Sequence, residues 1–244
     1  MHSHAHFRRL STNRALCVVV HDRVAAGRAD TNMPAGHECV RPRHDILLAN
    51  DATGVSNATN ITQSASTTSG FSITKFNGST SGVTIPHNLG GTPEWILLKD
   101  LADSNRSWVV YHKDLSASNK YLVLSSDAAE ATISGGFGTQ TSTNIVLGTD
   151  GSFGGSTNAY ICYAWKAVSG VSKFGVYNGN AGANNIVLGF HPRLFMIKRR
   201  GGTGNWHMYD YFRSYNPTGA GASDGTGHSL QPPLFGDGTG TDAS

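Results

Sequence analysis

The chain has 244 residues, of which 14% are charged, and a formal net charge of +3 at pH 7. Gly contributes 30 residues, and Ser, Thr and Asn are also abundant. This composition is typical of short strands joined by tight turns, because Gly and Asn tolerate positive φ and Thr suits a pleated surface. Seven of the twelve arginines lie in the first fifty residues, so no nucleic-acid-binding track is expected in the nearly neutral remainder. No apolar run approaches the roughly twenty residues of a membrane-spanning helix, so no membrane insertion is expected either.

Three parts of the chain are predicted to lie outside any packed module. Residues 1–50 contain seven Arg, six His and no Lys, and we assign them to no domain, expecting a disordered or foreign extension without a packed core. Residues 51–70 are small and polar with almost nothing to bury, which predicts a linker. Residues 218–244 are rich in Gly and are expected to form a flexible tail.

From residue 71 onward, short apolar runs alternate with turn residues, which predicts an all-β, antiparallel sandwich or jelly-roll. The predicted strands are residues 72–76, 83–86, 95–100, 108–113, 121–125, 144–148 and 158–167. The runs 95–98 and 194–197 are apolar on both faces, as is typical of central strands that are covered on both sides. Asn77-Gly78 and Asn178-Gly179 are each predicted to close a strand in a type I′ turn, whose two central residues have positive φ.

The same series of motifs occurs twice in the chain. The matching segments are residues 75–78, 93–99 and 108–112 in the first copy and residues 176–179, 192–198 and 206–210 in the second. The offset between the copies falls from 101 to 99 to 98 residues, so the anchors keep their order while the loops shorten. This indicates a duplicated structural unit. We expect a first module over residues 71–170 and a partial second copy over residues 171–217, with the same strand order in both.

The second copy lacks visible counterparts of the strand segments 121–124 and 159–165. A sheet without its closing strands exposes apolar residues and unpaired backbone groups at its edge. We therefore expect either that the chain is a fragment or that something else completes this sheet. The candidates are the first module, another copy of the chain and further residues of a longer protein.

A longer ordered series of motifs runs through the chain. It comprises GFSI at 70–73 leading to Phe76 and Gly78, HNLG at 87–90 leading to Pro93, ILLK at 96–99, WVVYH at 108–112, KYL at 120–122, LG at 147–148, AYICYA at 159–164 and SKFG at 172–175. This series, within about residues 51–217, resembles a module of tail-fibre-like and other virion structural proteins of tailed bacteriophages, particularly marine ones. The resemblance implies tandem modules within long proteins and carries no catalytic activity. His87-Asn88 departs from the usual His-Gly of that module.

One pair of residues has the beginnings of a catalytic arrangement. His112 and Asp114 lie on one face of a predicted strand, and a His–carboxylate pair can act as a general base. However, no nucleophile motif accompanies them, and the second copy has Asp210 at the position of His112. No catalytic residue is therefore predicted. Three cysteines without a CxxC spacing predict neither a disulfide framework nor a metal site, no cofactor is expected, and Cys162 should be a buried free thiol.

Tryptophans occupy several anchors of the repeat. At Trp95, Trp108 and Trp206 this position favours packing in a core. An exposed aromatic ring among Asn, Asp and Gly would instead be a stacking platform for a sugar. The candidate binding residues are Trp108, His112, Asp114, Trp206 and Asp210.

These patterns predict a non-enzymatic virion structural protein of a tailed bacteriophage, from the tail or a tail fibre, that acts as a scaffold or in host-surface attachment. It would be made in the host cytoplasm, assemble with further copies of itself or with other virion proteins, and present repeated weak contacts to a host-surface glycan. The alternative is a secreted bacterial carbohydrate-binding module or adhesin. The missing signal peptide and the missing disulfides weigh against that alternative.

Overall fold

The computed structural model describes residues 4–8, 14–20, 45–47, 57–179, 183–190, 192–210 and 234–235. The described part of the chain is all-β, as predicted. In chain order its strands are β1 (His4–Arg8), β2 (Arg14–Val20), β3 (Asp45–Leu47), β4 (Thr59–Ser66), β5 (Phe71–Asn77), β6 (Val83–Pro86), β7 (Trp95–Asp100), β8 (Val109–His112), β9 (Lys120–Val123), β10 (Ala131–Thr132), β11 (Asn144–Leu147), β12 (Ala159–Trp165), β13 (Ser172–Asn178), β14 (Ala183–Val187), β15 (Leu194–Arg199), β16 (His207–Asp210) and β17 (Leu234–Phe235).

The first copy is an antiparallel β-sandwich. Its large sheet has the strand order β10-β9-β8-β7-β12-β5-β4-β3, and β6 pairs with β11 in a second, smaller sheet. Apolar side chains of both sheets and of the connecting loops form one cluster, which we call the main core. Its best-buried members, all at most 3% exposed, are Phe76, Val83, Ile85, Leu89, Ile96, Leu98, Val109, Ile145, Leu147, Phe153, Tyr160, Cys162 and Ala164.

All seven strands predicted for this copy are present, with ends within two residues of the prediction. Strand β7 pairs with β8 on one side and β12 on the other, so the run that is apolar on both faces is central, as expected. Cys162 is a buried free thiol, as predicted, and burial raises its pKa.

The Asn77-Gly78 dipeptide ends β5 but does not form a type I′ turn, since neither residue has positive φ. A Cβ on Gly78 would lie 2.2 Å from the carbonyl oxygen of Gly154, so glycine is required here for close approach of the backbone. Positive φ occurs instead at Asn88, where φ is 50°. Asn tolerates this conformation better than most residues other than Gly.

The predicted linker over residues 51–70 is wrong for Thr59–Ser66, which form β4 and pair with β5. Gln63 attaches this strand to the sandwich although it is polar, and it is 1% exposed. Its side-chain amide donates to Thr74 Oγ1 at 2.8 Å and to the Pro86 carbonyl at 2.5 Å, while its Oε1 accepts from Asn88 Nδ2 at 2.5 Å. A polar strand can therefore be buried because its hydrogen bonds are satisfied. Residues 51–56 lie outside the described part of the chain.

The second copy repeats the strand order of the first. The order β5-β12-β7-β8 of the first copy corresponds to β13-β2-β15-β16 in the second, so β2 occupies the place of β12. The backbone register also corresponds. The central residue and its two partners are Tyr163 between Ile73 and Leu97 in the first copy, and Val18 between Phe174 and Met196 in the second. In the same way β1 pairs with β14 as β11 pairs with β6.

These pairings correct three expectations. Residues 1–50 are not wholly outside the fold, since β1 and β2 complete the second copy and β3 pairs with β4 at the edge of the large sheet. The second copy does not lack a strand between β13 and β15. Part of the predicted tail, Leu234–Phe235, pairs with β16. Residues 1–3, 9–13, 21–44, 48–50, 180–182, 191, 211–233 and 236–244 lie outside the described residues.

Candidate functional site

His112 is not part of a surface catalytic pair. It is 0% exposed, and its ring lies edge-on to Trp95 at a centroid distance of 6.0 Å. Its Nδ1 accepts a hydrogen bond from the backbone amide of Asp114 at 3.0 Å, while the Asp114 carboxylate lies 3.9 Å from the same nitrogen. A general-base arrangement needs an Nδ1–H that the carboxylate can orient. Here Nδ1 is the acceptor of a backbone N–H, so the imidazole closes a turn.

A second buried histidine makes the same local contact. The Nδ1 of His87 accepts from the backbone amide of Leu89 at 3.1 Å, again two residues further along the chain. Its Nε2 lies 3.2 Å from the carbonyl oxygen of Thr141 and donates to it. Burial lowers the pKa of His87, with Lys166 acting in the same direction and the Thr141 carbonyl opposing it. Both imidazoles therefore stabilise the loop that follows their strand, because each accepts a hydrogen bond from a backbone amide in that loop.

Trp206 lies between the two copies. It is 0% exposed, its ring centroid is 5.8 Å from that of Trp95, and its Nε1 donates to the Val123 carbonyl at 3.0 Å. Core packing, rather than a sugar platform, is therefore the role of Trp95 and Trp206.

An apolar cluster surrounds these two tryptophans, and we call it the interface cluster. Its buried members are Trp95, Val110, Leu115 and Leu122 from the first copy and Phe174, Met196 and Trp206 from the second. Each buried side chain of this size contributes about 1.5–3 kcal/mol, so the cluster is worth as much as the stability of a small domain. The two copies are thus fused through a shared core.

Two cations of the second copy add polar contacts at this interface. Lys198 is 0% exposed, and its ammonium donates to the carbonyls of Asp127 at 2.9 Å and Gly204 at 2.7 Å. The Arg200 guanidinium donates to the Asp114 carbonyl and lies 3.8 Å from the Glu130 carboxylate. Because a buried charge is stable only when its donors have acceptors, the Asp127 and Asp114 carbonyls of the first copy hold the β15–β16 hairpin in position.

Lys198 has an equivalent in the first copy, and neither lysine was predicted to have a structural role. Lys99, at the equivalent position of the first copy, donates to the carbonyls of Asp103 at 3.4 Å and of Arg106. Arg106 and Gly204 correspond, since each lies two residues before the anchor tryptophan. The available signal was a Lys that directly follows the apolar run of the central strand in both copies.

Trp108 has a different environment from Trp206. It is partly exposed on the outer face of the large sheet, the face that points away from the main core, and its ring lies 5.9 Å from that of Tyr163. Tyr163 in turn lies 6.4 Å from Phe71 and 6.3 Å from Trp165. These four partly exposed rings form an outer-face row.

The five predicted binding residues therefore do not form a single site. His112, Asp114 and Trp206 lie at or beside the interface between the copies, and Trp108 belongs to the outer-face row. Asp210 pairs with Leu194 in the β15–β16 ladder, and its side chain is outside the described part of the structure.

A shallow groove of about 360 Å³ is lined mainly by glycine and apolar residues. Its lining residues are Asn119, Ile133, Ser134, Gly135, Gly136, Phe137, Gly138, Val146, Leu147 and Gly148. It contains no acid or base among these residues. Within the described ranges, no three His, Cys, Asp or Glu side chains gather as a metal-binding group. Those ranges also contain no helix that is long and apolar enough to cross a bilayer.

Comparison with known proteins places the chain in a family. No curated protein and no solved structure matches it. A family model described as "Domain of unknown function (DUF7483)" matches residues 48–227, a region that includes β4 to β16 and so the interface between the copies. The chain therefore belongs to this family of unknown function.

Proposed function

We propose that this chain is a non-enzymatic structural protein of a tailed-bacteriophage virion, a tail or tail-fibre component that acts as a scaffold or in host-surface attachment. The observation that carries the proposal is the use of the repeat anchors. Trp95, Trp206, Lys198 and His112 are all engaged in packing or in backbone hydrogen bonds. A protein whose repeated side chains pack and hydrogen-bond between modules is suited to building an extended assembly.

The resemblance to virion modules supports the same conclusion. In such an assembly the chain would be made in the host cytoplasm and located in the virion tail, with other virion proteins or further copies of itself as partners. Repeated modules would convert weak individual contacts with a host-surface glycan into strong attachment.

The test is to locate the protein in particles. Virions released by cells that carry the gene are purified, digested and analysed by mass spectrometry, and intact particles are labelled with antibody and gold for electron microscopy. We expect peptides from both copies at a fixed ratio to a capsid protein and gold on the tails. Antibody pre-absorbed with the purified chain is the control. Recovery of the protein only from the medium or surface of uninfected cells would contradict the proposal.

A secreted carbohydrate-binding module or adhesin is the second candidate, and the outer-face row favours it. Partly exposed Trp108 and Tyr163 rings provide apolar faces on which pyranose rings stack. A glycan array probed with the purified chain addresses this candidate. Binding that is lost in Trp108→Ala and kept in Val187→Lys would support it.

A further inference from the structure

The face through which the second copy packs on the first has a counterpart in the first copy. In the second copy this face consists of Phe174, Met196, Lys198 and Trp206. The repeat places Ile73, Leu97, Lys99 and Trp108 at the equivalent positions, and we call these four residues the docking face. All four lie on the outer face of the large sheet.

The two equivalent faces differ in how far they are covered. In the second copy Phe174 is 3% exposed, Met196 is 8% exposed, and Lys198 and Trp206 are 0% exposed. All four residues of the docking face are partly exposed. The apolar surface that the second copy buries is therefore partly open to solvent in the first.

Hydrogen bonding shows the same difference. The Nε1 of Trp206 donates to a carbonyl of the other copy, whereas the Nε1 of Trp108 has no acceptor among the described residues. The ammonium of Lys198 reaches the Asp127 carbonyl of the other copy in addition to its own hairpin. The ammonium of Lys99 has only its own loop carbonyls, those of Asp103 and Arg106, among the described residues. Both polar groups of the docking face thus lack the contact that a neighbouring module supplies in the second copy.

The existing contact is made by two different surfaces. The second copy contributes the equivalent of the docking face, while the first contributes Trp95, Leu115, Leu122 and the carbonyls of Val123 and Asp127, which we call the receiving surface. A contact between unlike surfaces is heterologous and can be repeated from one unit to the next. One module can therefore carry both surfaces. The receiving surface of the first copy is covered by the second copy of the same chain, so a neighbouring chain offers the equivalent surface of its second copy, where the partly exposed Leu194 stands at the position of Trp95.

We propose that the docking face of the first copy binds another copy of this chain, so that chains join head to tail. The inference rests on the proposed structural role and names the partner and the surface. The contact has the arrangement of the one within the chain, with the docking face lying on the second copy of the neighbour. Trp108 and Lys99 then gain backbone acceptors and Ile73 is buried, while Leu97, which already packs against the interface cluster, is covered further.

The test is sedimentation velocity of the full chain over a wide range of concentrations. We expect the wild-type chain to self-associate as concentration rises, and Ile73→Lys to weaken the association constant by about tenfold or more, as at an interface hot spot. Val187→Lys is the matched control because Val187 is an apolar strand residue, 49% exposed, outside the docking face. Trp108→Phe keeps an aromatic ring while it removes the indole N–H and some of the ring area, so it tests the face even where a larger change impairs folding, and it should weaken association.

Three outcomes would overturn the proposal. The first is a wild-type chain that stays monomeric at the highest concentration. In the second, the chain associates equally well with Ile73→Lys and Trp108→Phe, as it would if copies exchanged β1 and β2. The third is a monomeric chain whose tryptophan fluorescence is changed by an oligosaccharide, with the change absent in Trp108→Phe, which would assign the face to a sugar. None of these results removes the protein from virions, so failure here is distinct from failure of the proposed function.

Discussion

The first copy of the module is closed by a strand that follows it in the chain, whereas the second is closed by a strand that precedes both copies. Strand β12 comes after the rest of the first copy, while β2 lies more than 150 residues before β13. The pairing register is nevertheless the same. Loop-closure entropy grows only slowly with loop length, so a distant segment can complete a sheet at moderate cost. Closure depends on a strand that fits the gap and not on its place in the chain.

The two copies also differ in the loop before the central strand. The segments 93–99 and 192–198 are offset by 99 residues, so buried Leu89 and Gly90, with φ of 70°, correspond to buried Leu188 and Gly189, with φ of 84°. His87, which is buried, and Asn88 lie in the stretch over which the offset falls from 101 to 99 residues. The backbone conformation of the Leu-Gly pair is therefore retained, while the loop before it differs in length.

Deletion of residues 1–20 should have the largest effect, because it removes β1 and β2 together and so affects the second copy and not the first. We expect amide protection in β13 and β15 to be lost while β5 and β7 stay protected, since β12 still closes the first copy. Hydrogen exchange with mass spectrometry measures both copies in one sample.

For the same reason residues 171–244 made alone should aggregate or remain unfolded. A peptide of residues 1–20 should restore amide protection to them, whereas a scrambled peptide should not. Unchanged exchange in β13 and β15 after the deletion would show that β2 is not needed.

Replacement of the anchor tryptophans Trp206 and Trp108 should give the next largest difference between the copies, measured as loss of unfolding free energy. Trp206→Ala removes a fully buried ring from the interface cluster and should lower the unfolding free energy by about 3–5 kcal/mol. Trp108→Ala removes a partly exposed ring and should cost less than half as much. Denaturant unfolding at low protein concentration, where self-association does not contribute, compares the two. Equal losses would mean that Trp206 is no more embedded than Trp108.

Replacement of the equivalent lysines Lys198 and Lys99 should give a smaller difference in stability between the copies. Lys198→Met removes a buried donor from the Asp127 and Gly204 carbonyls and should cost about 1–3 kcal/mol. Lys99→Met affects loop carbonyls that water can reach and should cost about 1 kcal/mol or less. Thermal unfolding of the two variants beside the wild type gives the order, and a larger loss for Lys99→Met would contradict it.

The smallest effect expected is a pH dependence specific to the first copy. Because burial lowers the pKa of His87 below its ordinary value of 6.5, the unfolded state binds the proton more readily. The stability due to neutral His87 is present above pH 6.5 and declines as the pH falls through the folded-state pKa. His87→Leu, which replaces the titratable ring with an apolar side chain, should flatten the slope of unfolding free energy against pH on the acid side. A slope equal to that of the wild type would show that His87 does not titrate on unfolding.

Local patterns were sufficient for most of the first copy. Alternation and doubly apolar runs placed β5 to β9, β11 and β12 within two residues, and the apolar run around Cys162 predicted its burial. These features have local causes, since the strand period and the apolar content of a segment decide which faces are covered. The repeat likewise indicated that both copies share one strand order.

Only the tertiary structure decided which segments fill the gaps and which faces meet. The polar strand β4 is buried because Gln63 finds its three hydrogen-bond partners on β5 and in the segment Pro86–Asn88, which composition does not show. Strand β2 lies between β13 and β15 because no other described strand occupies that position in the sheet. Trp206 and Lys198 are buried while Trp108 and Lys99 remain partly exposed, although the repeat makes each pair equivalent. A motif determines the local conformation of a residue, whereas its burial depends on whether another surface lies against it.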